Sequence, residues 1–258
     1  MYTEVWAHRG SSHTFMENSM AAFRQAITDG ADGVELDVQQ TKDGKLIVFH
    51  DEKLSRLTES NQCIWDTTWE ELQKLTLKNS SEKIPSLEEV LKLFKPTKLT
   101  VNIELKNNRF LYQGMEKVIF DMVADFDMQD QVLYSSFNHE SMVEMVDLAG
   151  GENCAILTSD IHVEPWKYIK QLGVKSYHPM INSLQQKNLI QNIRANDLKV
   201  NVWTADYPAH IYAALLLEVD AIITNEPKRA VELREQFQSD GGQQAVKAVR
   251  KLGFSFPE

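Results

Sequence analysis

The sequence is poor in cysteine and in basic charge. Its two cysteines, Cys63 and Cys154, are too few for a disulfide framework, and no cysteine-rich spacing indicates a zinc site. We expect both to be buried, reduced thiols. With 27 basic against 37 acidic residues the formal net charge is −10. This balance disfavours nucleic acid as a partner, because tracking a phosphate backbone requires basic stripes. A small anion can still bind where its site supplies its own cations.

Long apolar runs and targeting signals are also missing. The most apolar stretch, residues 213–223, is interrupted by Glu218 and Asp220, so we expect no stable membrane insertion. The first four residues lack the basic and apolar regions of a signal peptide, and we therefore predict a cytoplasmic protein. No pattern indicates an oligomeric state.

What the chain does contain is a regular alternation of β-prone runs with helical patterns. Eight runs are candidate strands, and several of them are near-continuously apolar or end in polar residues, as parallel strands covered by helices do: Val5–Ala7, Val34–Val38, Thr100–Leu105, Val132–Ser136, Cys154–Leu157, Ser176–Tyr177, Val200–Trp203 and Ala221–Thr224. Eight strands alternating with helices within about 250 residues are typical of a closed (β/α)8 TIM barrel of the α/β class. A doubly wound open sheet is the alternative, but no Gly-x-Gly-x-x-Gly turn follows an early strand.

Helices are predicted between these strands. Asn18 or Ser19 can cap the first helix, and Gly30 ends it. The others run roughly over residues 86–94, 111–125, 140–148, 166–172, 185–195, 209–217 and 227–237.

Two segments fall outside the barrel pattern. Residues 51–85 exceed a normal βα connection and are predicted to form a small insertion after the second barrel strand. Past residue 238 a further helical pattern, residues 243–252, predicts an appended helix. We therefore divide the chain into a barrel over residues 1–238 and a C-terminal helical extension over residues 239–258.

The first fifth of the chain carries a set of acid–base and charged side chains. His8 and His50 titrate near neutrality and can exchange protons with a substrate. Glu35 and Asp37 offer hard oxygen ligands to a divalent cation. Arg9 can hold a phosphoryl oxygen through a charge-assisted fork. These are the groups that cleavage of a phosphate ester requires.

A turn signal predicts that part of this set converges. Asp43-Gly44 lies between two β-prone runs and is typical of a hairpin with a two-residue loop. In that register Asp37 faces His50, and Glu35 lies on the same face. A shift of one residue would destroy this arrangement.

Strand ends predict where the set lies in a barrel. The carboxyl ends of the strands meet at one mouth, where active sites form. The first three barrel strands bring charged residues there: His8, Arg9, Glu35, Asp37, Glu104 and Lys106. Clustered carboxylates repel one another unless a cation neutralises them. An all-oxygen ligand set favours Ca²⁺ or Mg²⁺ over zinc.

Other residues near the mouth are open to two interpretations. Phe137 and Trp203 either line the pocket or fill the upper core. His13 and Glu17 either contribute to the site or belong to a loop.

Several blocks of sequence, in consecutive order, match one known family. They are Ala7-His8-Arg9-Gly10, Glu17-Asn18-Ser19, residues 33–38, residues 41–44, Val48-Phe49-His50-Asp51, residues 102–106, Ser135-Ser136-Phe137, Val202-Trp203-Thr204 and residues 223–227. Over roughly residues 4–235 the chain resembles the glycerophosphodiester phosphodiesterase family. The family usually has a proline where this chain has Met16, so we expect a more flexible loop after the first strand.

The resemblance implies a TIM barrel that hydrolyses glycerophosphodiesters to glycerol 3-phosphate and an alcohol. It places a divalent metal cation, often Ca²⁺ or Mg²⁺ and in some cases Mn²⁺, on Glu35, Asp37 and Glu104. It places acid–base catalysis on His8 and His50. It places the phosphate contacts on Arg9 and Lys106. The attacking group is either water or the glycerol 2-hydroxyl of the substrate.

Two other functions remain open. A related phosphodiesterase of the lysophospholipase D type would need an apolar rim, for which Ile64, Trp65 and Trp69 are the candidates. A non-enzymatic binding barrel is the other alternative, although no position of the chemical set is lost.

Overall fold

The computed structural model describes residues 2–250, and its centre is a closed barrel of eight parallel strands. The barrel closes where β1 pairs with β2, and a ninth strand, β3, lies antiparallel on the far part of β2. The strands are β1 (Glu4–His8), β2 (Gly33–Gln40), β3 (Leu46–Val48), β4 (Thr100–Leu105), β5 (Val132–Ser136), β6 (Cys154–Thr158), β7 (Ser176–Pro179), β8 (Lys199–Val202) and β9 (Ala221–Thr224). The predicted TIM barrel is confirmed.

Helices cover the barrel between its strands. They are α1 (Met20–Thr28), α2 (Trp69–Leu72), α3 (Leu87–Phe94), α4 (Met115–Asp125), α5 (His139–Ala149), α6 (Pro165–Gln171), α7 (Leu189–Ala195), α8 (Pro208–Leu216), α9 (Pro227–Asp240) and α10 (Gln243–Arg250). Local chemistry fixes several starts. Ser19 caps α1, and Ser86 and Glu89 form a capping box on α3.

Two helices begin later than predicted. The helix predicted from residue 111 begins at Met115, because Gly114 before it has φ of +75°. The helix predicted from residue 185 begins at Leu189, because Asn188 has φ of +60° and a separate 3₁₀ turn occupies Ile181–Gln185. A residue with positive φ cannot continue a right-handed helix, and the spacing of apolar residues does not indicate where such a residue occurs.

The main apolar core lies between the barrel and the helices. Alternate strand residues such as Val34, Leu36 and Ile103 point outward and are fully buried against the helices. The opposite face of the strands points into the barrel and is more polar, since it carries buried Asn102 and His178. The strand alternation therefore sends polar side chains to the barrel axis, where the functional site lies.

The predicted register of the β2–β3 hairpin is wrong by one residue. Val38 pairs with Val48, and Asp37 lies opposite Phe49, whose N–H donates to the Asp37 carbonyl at 2.9 Å. Asp37 therefore does not face His50. The cause is a three-residue loop in place of the predicted two, closed by a hydrogen bond from Thr41 N–H to the Lys45 carbonyl at 3.0 Å.

Residues 51–85 form two 3₁₀ turns and the short helix α2, with an apolar cluster of their own. Phe49, Leu54 and Ile64 are buried in this cluster, and Met16 packs against it. The segment is thus fixed to the barrel by packing. Cys63 within it is only half-buried, whereas Cys154 is fully buried as expected, and both are free thiols.

The C-terminal helix α10 packs on α8 and α9 through buried Ala245 and Val249. Its predicted end at Leu252 lies outside the described residues. The division of the chain at residue 238 stays a prediction, and α9 continues across that position to Asp240. Among residues 2–250, the helices are all too short or too polar to span a bilayer.

Candidate active site

Three buried carboxylates meet at the carboxyl ends of β2 and β4. Glu35 and Asp37 are two residues apart on β2 and share a face, and Glu104 on β4 pairs directly with Asp37. One oxygen from each lies within 4.8 Å of the others. We call these residues the acidic trio.

Burial and mutual repulsion raise the pKa values of Glu35 and Glu104. The pKa of Asp37 is lowered instead, because Arg9 and Lys106 outweigh the opposing effect of burial. Two buried oxygens of the trio, Glu35 Oε1 and Asp37 Oδ1, have no hydrogen-bond donor among residues 2–250. Buried anionic oxygens without donors are the groups that a divalent cation would satisfy. The trio therefore fits a metal site.

Two cationic side chains border the trio. Arg9 Nε lies 3.1 Å from Asp37 Oδ2, and Arg9 Nη1 donates to Glu17 Oε1 at 2.8 Å. Lys106 Nζ donates to Glu104 Oε1 at 2.9 Å and lies 3.8 Å from Asp37 Oδ1. Both cations lie next to the trio, and so an anion beside the trio would meet positive charge from both.

His8 is held by a residue that directly follows the last barrel strand. Its Nδ1 lies 2.7 Å from Asn225 Oδ1, while the Asn225 amide nitrogen donates to Asp206 at 2.6 Å. The Asn225 oxygen is therefore an acceptor, and His8 Nδ1 carries the proton. The other ring nitrogen, Nε2, faces the trio at 3.9 Å from Glu35 Oε2. Burial, together with the charge of Arg9, lowers the pKa of His8 to about 4.

His50 reaches the same cavity from the end of the hairpin, despite the shifted register. Its Nδ1 lies 2.7 Å from Asp51 Oδ1. Burial alone would raise the pKa of Asp51, but hydrogen bonds from Arg56 and His50 lower it, so the carboxylate is ionised and accepts. The Nε2 atom of His50 is thereby left for a substrate.

A cavity of about 160 Å³ joins these groups. Its lining is formed by His8, Arg9, Glu35, His50, Asn102, Glu104, Phe137, Leu157, Trp203 and Ile223. Phe137 and Trp203 both line it, meeting edge to face with ring centroids 5.6 Å apart, and their contact with a substrate stays a prediction. A second, open cavity of about 680 Å³ adjoins it, sharing His50 and Phe137 and reaching Trp65 and Arg109.

The similarity of the whole chain to known proteins agrees with this geometry. A sequence model of the glycerophosphoryl diester phosphodiesterase family matches residues 8–229. The chain belongs to this family. A glycerophosphodiester phosphodiesterase from Bacillus altitudinis is 39% identical over 242 residues, which cover 91% of this chain and 99% of that protein.

Solved structures extend the comparison. One from Agrobacterium tumefaciens has a TM-score of 0.86 at 22% identity and covers 93% of this chain and 100% of its own, which shows the shared barrel fold. An Oleispira antarctica phosphodiesterase, solved in complex with the product sn-glycerol-3-phosphate, has a TM-score of 0.79 at 25% identity. That comparison covers 90% of this chain and 96% of the other.

Within this member of the family, three residues that support the site were not assigned to it from the sequence: Asn18, Asn225 and Arg56. Asn18 donates to Asp37 Oδ2 at 2.8 Å. Glu17, for which two interpretations were open, is a partner of Arg9 and so contributes to the site. The Glu-Asn pair formed part of the family resemblance, which was the available signal. Asn225 also lay in a matched block. Arg56 had no signal in the sequence.

Proposed function

We propose that this protein hydrolyses glycerophosphodiesters to glycerol 3-phosphate and an alcohol, with a divalent cation on the acidic trio. As a member of its family it is a phosphoric diester hydrolase. The observation that carries the proposal is the convergence of His8, His50, Arg9, Glu35 and Glu104 on one small cavity, with Asp37 and Lys106 directly beside these groups. The relative bound to sn-glycerol-3-phosphate supports the same product class.

Glu35, Asp37 and Glu104 would hold the cation. Their oxygen donors favour Ca²⁺ or Mg²⁺, and Mn²⁺ is compatible with the same set. When bound, such a cation neutralises charge on the non-bridging phosphate oxygens during the reaction.

Arg9 and Lys106 bind and orient the phosphodiester. Their positive charges lie beside the trio and face the oxygens on which negative charge accumulates in the transition state. The planar fork of Arg9 can donate to two oxygens, whereas Lys106 acts as a point charge.

His8 and His50 move the protons. Each has its Nδ1 held by an oxygen acceptor, so each presents Nε2 to the cavity. One takes the proton of the attacking oxygen as the bond to phosphorus forms. The other protonates the alcohol oxygen as its bond to phosphorus breaks. The attacking oxygen comes from water, or from the glycerol 2-hydroxyl, which gives a cyclic phosphate that water then opens.

The competing lysophospholipid substrate has little support in the candidate rim. Ile64 is fully buried and Trp69 packs on the cluster of the 51–85 segment, which leaves Trp65 as the one candidate of the three that lines the outer cavity. A cytoplasmic location and the exclusion of nucleic acid stay predictions from composition.

A coupled assay for glycerol 3-phosphate tests the proposal, with choline measured in parallel because the same cleavage of lysophosphatidylcholine gives lysophosphatidate and choline. Glycerophosphocholine, glycerophosphoethanolamine, glycerophosphoglycerol and lysophosphatidylcholine are compared with Ca²⁺, Mg²⁺ or Mn²⁺ and with chelator. We expect glycerol 3-phosphate from the water-soluble diesters and its loss in chelator. No release of glycerol 3-phosphate or choline from any diester with any of these metals would instead favour a binding barrel. Choline release from lysophosphatidylcholine alone would favour the lysophospholipase D alternative.

A further inference from the structure

The surface guanidinium of Arg56 is bonded both to the carboxylate that holds His50 and to the carboxylate that holds Arg9. We propose that Arg56 is a positioning residue, which sets the orientation of His50 and of Arg9 at the same time through two carboxylates. The inference rests on the proposed function for its kinetic test, and on the structure alone for its spectroscopic test.

The Arg56 side chain uses both edges of its planar group. Toward Asp51, Nε donates to Oδ2 at 2.5 Å and Nη2 to Oδ1 at 3.1 Å. Toward Glu17, Nη1 donates to Oε2 at 2.8 Å and Nη2 to Oε1 at 2.7 Å. Two bidentate carboxylate forks on one guanidinium fix both carboxylates relative to each other.

Each of the two carboxylates also accepts a hydrogen bond from one functional side chain and thereby orients it. The Asp51 Oδ1 atom accepts from His50 Nδ1 at 2.7 Å, which selects the ring tautomer and its rotation. The Glu17 Oε1 atom accepts from Arg9 Nη1 at 2.8 Å. The acid–base group and the phosphate-binding group are therefore linked through Arg56, which does not itself line the 160 Å³ cavity.

The backbone that carries Arg56 is held independently of its side chain. The 3₁₀ turn Leu54–Arg56 is anchored by fully buried Leu54, and Lys78 Nζ donates to the Ser55 carbonyl at 2.7 Å. The Arg56 side chain is 45% exposed. Truncating it removes no core packing, so the variant chain should fold.

The kinetic experiment uses the full-length, metal-loaded enzyme and the variants Arg56→Ala and Arg56→Lys, with Arg24→Ala as control. Arg24 is an exposed arginine on α1, and its removal changes net charge equally. Misplacing catalytic groups by about 1 Å costs about 100-fold, so we expect that loss of kcat/KM in Arg56→Ala. Lysine has the charge but not the fork, and Arg56→Lys should recover only a small part. Free guanidinium, added below denaturing concentrations, should restore Arg56→Ala by about tenfold and leave Arg24→Ala unchanged.

The spectroscopic experiment follows the ring nitrogens of ¹⁵N-labelled histidine, with the His50 signals assigned from a His50→Gln variant. We expect the Nδ1–H tautomer of His50 in the wild-type protein and a mixture of tautomers in Arg56→Ala, reversed by guanidinium. An Arg56→Ala variant with kcat/KM within about threefold of wild type would overturn the inference, since an exposed ion pair of purely structural value costs little. A loss of activity without guanidinium rescue and with unchanged His50 signals would overturn it as well. If the wild-type enzyme lacks diesterase activity, the proposed function fails, and the His50 signals alone decide the positioning role.

Discussion

Cation binding to the acidic trio can be measured through stability, independently of catalysis. The perturbation is addition of Ca²⁺ or Mg²⁺ to chelator-treated protein. A ligand at 100 times its Kd that binds only the folded state adds about 2.7 kcal/mol. In a chain of this size 1 kcal/mol moves the Tm by about 2–4 °C, so we expect a rise of about 5–10 °C.

The variant Glu35→Gln sharpens this test because it changes charge with little change in shape. Glu35 Oε2 accepts from the Arg9 N–H at 3.1 Å, and a glutamine oxygen can keep that bond. The charge of Glu35 is opposed by burial and by its two acidic neighbours. Without cation, Glu35→Gln should therefore be more stable than wild type. With cation, its rise in Tm should be less than half as large.

The matched control is Glu116→Gln. Glu116 is also a buried carboxylate, but it is bound to Asn107 and Ser141 outside the trio. It should keep the full cation-induced rise in differential scanning calorimetry. An undiminished rise in Glu35→Gln, or an equal loss in Glu116→Gln, would refute the assignment of the metal site.

Three further predictions concern single side chains. His8→Ala and His50→Ala should each lower kcat by about 10²–10⁴-fold while the cation-induced rise in Tm persists; wild-type rates in both variants would remove the acid–base assignment. Arg9→Lys should lower kcat/KM by about 10–100-fold, because an ammonium group cannot keep both carboxylate contacts and a forked phosphate contact; an unchanged value in the same assay would count against Arg9 as a phosphate ligand. His178 is fully buried, and burial lowers its pKa to about 3, so the unfolded chain binds a proton there below pH 6.5 that the native state does not bind. The free energy of unfolding should therefore fall with decreasing pH, and between pH 7 and 5 it should fall by about 2 kcal/mol more in the wild type than in His178→Gln. Equal falls in the two proteins, measured by urea denaturation at both pH values, would contradict this prediction.

Much of the barrel could be predicted because its signals are local. Apolar runs such as Cys154–Leu157 place the strands, and polar residues at the strand ends then fall at one mouth. The structure pairs Asp37 with Glu104 across β2 and β4, which agrees with their predicted positions at neighbouring strand ends. The strand assignments and the family resemblance therefore led to the same set of candidate residues.

What could not be predicted depends on loop geometry and on distant contacts. The hairpin register followed from a three-residue loop, in which Gly44 adopts φ of +84°. The Asp-Gly pair is equally compatible with a two-residue loop, so it could not decide the register. His50 still reached the cavity, for a reason other than the one predicted. The contact between Arg56 and Glu17 spans 39 positions, and no local pattern encodes it.

The hydrogen bond between His8 and Asn225 determines when, during synthesis of the chain, the site can form. Its two partners are 217 positions apart, at the end of the first barrel strand and directly after the last. During synthesis His8 leaves the ribosome early, but its partner emerges only when nearly the whole chain has been translated. A nascent or C-terminally truncated chain that lacks β9 cannot orient this histidine, whatever other structure it has formed. Catalytic competence is therefore expected to arise late, with closure of the barrel.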